Sequence, residues 1–393
     1  MQAVYNQAIE LIKCSIEGSI YKGLVNKEIF KLMLENGLSG SVFLALDKDL
    51  TDEEVYGLFK EEYYQYIKKD QRQLEVIEEI KNIFNENKID FILLKGSFLK
   101  KIYPESYMRS MGDVDCLIKK DKMELVHKVL EENGFKNWVI SSNHDCFMKY
   151  KNINVEVHPK LDSEFTDGYE DLLADPWSNA INTNGSEYQL RVEYNLLYQI
   201  YHMIKHLYRS GVGFRSIVDI YILIKKYGNS FKKEYLNDLL MNFKNKEFFK
   251  FLICYINNVF SVTLLNEIIS YDKMTNESID DFTDFVMVSG IHGIGEDYNL
   301  FIGGIAFSSK KSGSVFIGKI KYFFSKIFLP RKQMIGMYPF VKKCFLFLPI
   351  AWIFRICRLL VNNKKNTFIK IRRFSIRKED VKRTENLFNN IGL

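Results

Sequence analysis

Acidic residues are missing from one long stretch of this 393-residue chain: between Tyr298 and Lys378 there are 18 Lys or Arg and no Asp or Glu. From 298 onward the net charge is +17, against −11 before it, so the overall +6 hides a polarised molecule. Such asymmetry marks a surface for an anionic partner without naming the partner. Proline is scarce, 6 in all, while Leu, Lys, Glu and Ile abound, which favours a largely helical protein. The 6 cysteines include no CxxC pair; they read as free thiols in a reducing compartment, against a zinc ribbon or a disulfide framework. Long apolar runs are also lacking. The most apolar stretch, Cys344 to Phe354, spans 11 residues and is broken by Pro349, whereas a spanning helix needs about 20. No basic segment followed by a long apolar one opens the chain, so the expected location is the cytoplasm, with a peripheral position at the inner membrane face left open. Neither GxxxxGK[ST] nor GxGxxG occurs, which removes the P-loop and Rossmann readings. No repeat appears at periods of about 20–50 residues.

What is present is enough apolar material, 47% of the chain with 15% aromatics, to bury a sizeable core. Residues 1–88 read as a helical subdomain, with apolar positions at helical spacing and Asp52 or Thr51 capping a helix that runs to Phe84 with a break near Lys69-Asp70. At Ile89 the pattern changes. Phe91-Ile92-Leu93-Leu94 suits a buried strand and feeds Gly96-Ser97 and a helical stretch to Tyr103. Val114 to Ile118 is a second strand, Met123 to Asn133 a helix stopped by Gly134, and Phe147–Tyr150 and Ile153–Val157 are further strands. Residues 89–190 therefore read as an α/β core with a small mixed sheet. Residues 191–290 read as a helical domain. A Gly/Ser-rich loop at 290–315 then leads into basic amphipathic segments at 315–328, 333–347 and 350–362 and a polar tail, all within a basic C-terminal region, 291–393. The fold class expected is α+β: a small mixed-sheet core flanked by N-terminal helices and a helical C-terminal domain.

The chemistry concentrates in Leu94-Lys95-Gly96-Ser97, Arg109-Ser110-Met111-Gly112-Asp113-Val114-Asp115 and Val155-Glu156-Val157-His158. Asp-x-Asp at a strand start puts both carboxylates on one face, because side chains alternate with period two. Hard oxygen ligands suit Mg²⁺ (or Mn²⁺), with substrate phosphates completing the shell. Glu156, on a neighbouring strand, supplies a third carboxylate, and three such groups can hold two metals about 3.5–4 Å apart. Gly96-Ser97 between strand and helix offers N–H groups and a hydroxyl to a phosphate, and Lys95 or Arg109 can balance charge on departing pyrophosphate. The bland alternatives are a solvated turn for the aspartates and surface positions for Glu156, Lys95 and Arg109.

These motifs, LLKGSFLKKIYP, RSMGDVDCLI and VEVH, with HMIKH and FRSIVDIY further on, resemble the nucleotidyltransferase superfamily of the DNA polymerase beta type. More closely they resemble an uncharacterised bacterial nucleotidyltransferase family, over roughly residues 25–360 and most sharply at 93–118 and 153–160. The resemblance implies metal-dependent transfer of a nucleoside monophosphate from an NTP, with release of pyrophosphate. It implies Asp113, Asp115 and Glu156 as metal carboxylates and Gly96 and Ser97 as the phosphate-cradling turn. Two departures stand out: a long gap between Gly96 and Asp113, and Lys95 where an apolar residue is usual.

His158 shares the Glu156 face. His202 and His206, at i and i+4, have the spacing of a two-histidine metal pair but no apparent third ligand, so Lys205 and His206 are read instead as facing substrate. Arg215 and Asp219 are most simply an intrahelical ion pair, with a place beside the nucleotide as the second reading. The acceptor stays open: a sugar phosphate, a modified peptide or a protein. A non-catalytic nucleotide-binding protein and a membrane-peripheral accessory factor are the alternatives from other classes. Residues 330–393 either pack on the core or meet an anionic membrane surface; nucleic acid is disfavoured for want of exposed aromatics on a recognisable module.

Overall fold

The structure, a computed structural model, describes residues 1–140, 144–150, 153–162, 165, 167–209, 211–265, 269, 271, 274–291, 301–362 and 376–393. It is an α+β fold. Four N-terminal helices, α1 (Gln2–Glu17), α2 (Lys27–Glu35), the short α3 (Ser39–Val42) and α4 (Glu53–Glu86), precede the sheet. The strands are β1 (Phe91–Leu93), β2 (Asp113–Ile118), β3 (Lys136–Ile140), β4 (Asp145–Met148), β5 (Asn154–His158), β6 (Ala180–Asn184) and β7 (Glu187–Leu190). They form one mixed sheet in the order β3-β4-β5-β2-β1-β7-β6. β2 is parallel to β5 and β1 is parallel to β7, while β1 and β2 run antiparallel. Central position explains composition: β1 is a continuous apolar run because both its faces are covered.

One sheet face carries Phe91, Leu93, Val114, Cys116, Val155 and Val157, packed under α4 and under α6 (Met123–Glu132). In α4 the stripe Val76, Ile77, Ile80, Ile83 and Phe84 makes that contact, at the helical spacing the sequence shows. The opposite face, with Ile92 and Leu117, joins the main core. That core includes α8 (Val192–Leu207), α9 (Arg215–Tyr227) and α11 (Lys246–Phe260), which follow the small α5 (Lys95–Leu99), α7 (Glu170–Ala174) and α10 (Lys233–Met241) in chain order or lie among them. Beyond lie α12 (Asn276–Ser289), α13 (Ile302–Ser312), α14 (Val315–Ile327), α15 (Arg331–Met337), α16 (Leu348–Asn362) and α17 (Lys378–Asn390). All six cysteines are free thiols.

Several expectations need correction. α4 runs unbroken through Lys69-Asp70, because Asp70 is not a solvated helix breaker: it pairs with the buried Lys100 ammonium and accepts a hydrogen bond from Ser106 Oγ at 2.6 Å. The helix after β1 is only α5, stopping well before Tyr103. The 290–315 stretch is not a loop over its second half. Gly303 and Gly304 belong to α13, where a Cβ on Gly304 would lie 2.2 Å from the Tyr322 ring, so glycine there permits close helix packing. Gly293 and Gly295 lie outside the described residues. The 333–347 segment ends as a helix at Met337, just ahead of Pro339. The polar tail is α17, which buries Val381, Leu387 and Phe388. The β6–β7 hairpin, turning at Gly185 with φ 56°, was signalled only by the dipeptide Asn184-Gly185.

The Lys100–Asp70 pair tests this packing. Asp70→Ala should cost about 3–5 kcal/mol in urea unfolding, because it strands a buried ammonium; Asp70→Leu combined with Lys100→Met should recover most of that loss.

Candidate active site

Register brings the Asp113-Val114-Asp115 and Val155-Glu156-Val157-His158 motifs together. In the parallel β2–β5 pair, Asp113 lies opposite Asn154, Asp115 opposite Glu156, and Leu117 opposite His158. The alternating residues Val114, Cys116, Val155 and Val157 are buried on the other face, so the carboxylates are directed to the α8–α9 side. There Asp113, Asp115 and Glu156 line one cleft of about 280 Å³, together with Lys95, Gly96, Arg109, and residues of α8 and α9.

Asp115 is the most tightly held. Its N–H donates to Ser97 Oγ at 3.0 Å and its carbonyl accepts from Leu94 N at 3.0 Å. Its Oδ1 lies 2.8 Å from Lys95 Nζ and 2.9 Å from His158 Nε2. Burial alone would raise its pKa; the Lys95 charge and the His158 contact outweigh that and hold the carboxyl well below the usual carboxylate range. The same pair works in reverse on Lys95, where burial opposes and the Asp115 charge prevails, keeping the ammonium protonated. Lys95 reaches this position from a left-handed backbone, φ 48°, uncommon for a residue with a side chain and maintained by its surroundings. Asp113 differs: burial, then the charges of Glu156 and Asp115, raise its pKa against a 3.0 Å hydrogen bond from Asn154.

Glu156 has an imidazole on either side, His144 Nε2 and His158 Nε2, each 3.6 Å away. His144 was not signalled by the sequence. It immediately precedes β4, whose Cys146 pairs with Glu156, and only that register places it here. Burial pulls the His144 pKa down and pushes the Cys146 thiol up to about 12, leaving a neutral imidazole and thiol as soft neighbours of a hard carboxylate.

The far wall is cationic. Arg109 donates from Nε to Asp219 Oδ1 at 2.6 Å, and Tyr103 donates to the same oxygen at 2.6 Å. Asp219 thus serves Arg109, and the intrahelical Arg215–Asp219 pair expected from spacing gives way to it: Arg215 instead donates to the Ser110 carbonyl at 3.1 Å. Burial first, then the Arg109 charge, lower the Arg215 pKa to about 10, so it stays charged at neutral pH. With Asp219 paired to Arg109 and Arg215 on a neutral carbonyl, a surplus positive charge faces the cleft.

Other predicted residues sort plainly. Gly96 lines the cleft, and a Cβ there would come within 2.9 Å of Met111, so the glycine lets the Arg109 loop approach. Ser97 does not reach the cleft; it is 0% exposed and its hydroxyl accepts the Asp115 N–H, a strand-to-turn lock in place of the expected phosphate contact. Lys205 is likewise drawn away, into an ion pair with buried Asp162. His206 lines the cleft beside His202, with their Nε2 atoms 3.2 Å apart. Among the described residues the pair gains no third ligand. The long connection from Gly96 to Asp113 is tethered to the N-terminal helices: Ser41 Oγ donates to the Met108 carbonyl at 2.6 Å and Gln73 to the Met111 carbonyl at 2.8 Å.

The donor set fits a divalent cation. Asp115, Glu156 and His158 offer ligand atoms within 4.8 Å of one another, and Asp113, whose pKa is raised first by burial and then by the Glu156 and Asp115 charges, lines the same cleft. Added Mn²⁺ at about 100 times its Kd should stabilise the protein by about 2.7 kcal/mol in thermal unfolding, and Glu156→Gln should remove most of that shift.

The family model described as "Uncharacterised nucleotidyltransferase" matches residues 26–261, more than half of the chain and the whole of the cleft's sheet wall. No curated protein and no solved structure matches the chain.

Proposed function

This chain belongs to the uncharacterised nucleotidyltransferase family, and we propose that it moves a nucleoside monophosphate from an NTP to a hydroxyl or phosphate acceptor, releasing pyrophosphate, with Mg²⁺ or Mn²⁺ held by Asp113, Asp115 and Glu156. The observation that carries this reading is the opposition in one cleft of a carboxylate wall, in register across β2 and β5, and a cationic wall of Arg109 and Arg215. When bound, the divalent ion screens the triphosphate and acidifies the attacking oxygen.

The chain's own groups do the rest. Arg215, with its surplus charge, and Arg109 grip the β- and γ-phosphates, whose negative charge grows as the bond from the α-phosphorus to the bridging oxygen breaks. Lys95 fixes the Asp115 carboxylate and contributes positive charge beside the α-phosphate. The acceptor oxygen attacks the α-phosphorus, and its proton, where it is a hydroxyl, passes to a Glu156 carboxylate oxygen. The imidazoles of His144 and His158 flank that carboxylate and orient it. His202 and His206, on the helical side of the cleft, border the space left for the nucleoside or the acceptor. A sugar phosphate, a modified peptide and a protein hydroxyl all satisfy this chemistry.

An NTP panel with Mg²⁺, read as pyrophosphate release and by mass spectrometry of the acceptor, tests the reading. Asp115→Asn should lower turnover by about 10³-fold or more with unchanged circular dichroism. Arg215→Met should raise KM for the NTP by about tenfold, a loss of roughly 1.4 kcal/mol of phosphate binding. Undiminished pyrophosphate release by Asp115→Asn would contradict it.

A further inference from the structure

We propose that the outer face of α14 and α16, with the turn at 345–347 between them, docks this protein onto an anionic phospholipid bilayer. α14 has two faces, and its inner one is already seated. Gly318 and Tyr322 are buried against α13, and Tyr322 donates to the Arg209 carbonyl at 3.4 Å. The other face is apolar and open. Phe316, Ile320, Phe323 and Phe324 recur at helical spacing along it, and Phe316 is 72% exposed. In α16 and the preceding turn, Phe345, Leu346 and Ile353 are 65%, 66% and 61% exposed. Among the described residues the cluster beneath them has only Met334, Val341 and Ala351 fully buried, too little to draw these side chains inward. The two elements meet through Phe328, whose ring lies 5.5 Å from Phe324 and 5.0 Å from Trp352, and large apolar side chains exposed in this number mark an interaction surface.

Charge selects the occupant. Residues 315–358 contain nine Lys or Arg and no acidic residue. An acidic protein surface would pair these cations and leave the phenylalanines wet, whereas a nucleic acid would need stacking platforms along a groove. A bilayer surface offers anionic headgroups and acyl chains in the same plane, and so satisfies both features together. No helix among the described residues is long and apolar enough to cross a membrane, so the helices would lie along the interface. The active-site cleft shares no lining residue with this face.

Flotation of the full-length protein with phosphatidylcholine vesicles, with and without about 30 mol% phosphatidylglycerol, tests the proposal. Binding should require the anionic lipid and weaken at high salt. Lys342→Glu/Lys343→Glu should reduce partitioning at least about tenfold, as expected from the contribution of each basic residue near an anionic surface. Phe345→Ser/Leu346→Ser should reduce it comparably, with pyrophosphate release unchanged in both variants. Absence of flotation on anionic vesicles, or flotation indifferent to both substitutions, would overturn the proposal. So would a dimer lost in Phe345→Ser/Leu346→Ser by a protein that ignores vesicles, since the face would then belong to a second copy.

Discussion

The parallel pairing of β2 with β5 is the constraint on which the candidate site depends. It sets Asp115 across from Glu156, and a slip of β5 by one residue would turn Glu156 into the apolar layer under α4, away from Asp115. The register is held from both sides. Val114, Cys116, Val155 and Val157 are fully buried on one face, so hydrophobic burial opposes any slip. On the other face Ser97 accepts the Asp115 N–H, and Lys95 and His158 meet on one carboxylate oxygen. A buried carboxylate with two cationic or polar partners is far less costly than a bare one, and this arrangement keeps Asp115 ionised inside the fold.

The N-terminal helices contribute to the same end by a different route. They hold the connection between α5 and β2 through Ser41, Asp70 and Gln73, and that connection delivers Arg109 to Asp219 on α9. The cleft is therefore assembled from three parts of the chain: the sheet supplies negative charge, the tethered loop and α9 supply positive charge, and α8 closes one side with Gln199, His202 and His206. A triphosphate bearing a divalent ion is the kind of ligand whose charges alternate in the same way.

Much of this was legible in the sequence because it rests on local alternation. Asp113-Val114-Asp115 and Val155-Glu156-Val157 each show which residues share a face, and the strands formed where that pattern placed them. What escaped depended on distant partners. Ser97 carries the residue type of a phosphate ligand, yet its hydroxyl is consumed by the adjacent strand, which only the β1–β2 pairing reveals. Arg215 and Asp219 satisfy the spacing of a helical ion pair, but a guanidinium more than a hundred residues away takes the carboxylate. Asp70 looked like a helix interruption because its buried partner, Lys100, lies on another element. The glycines of α13 looked like a loop because close packing against Tyr322 and a turn ask for the same residue.

In the proposed reaction the carboxylates of β2 and β5 hold a divalent ion against a triphosphate gripped by Arg109 and Arg215. Anomalous diffraction from crystals soaked with Mn²⁺ and a non-hydrolysable α,β-methylene NTP would address it most directly. Mn²⁺ peaks ligated by Asp115 and Glu156 are expected, with the terminal phosphates on the arginines. Mn²⁺ bound elsewhere, or a triphosphate outside this cleft, would contradict it.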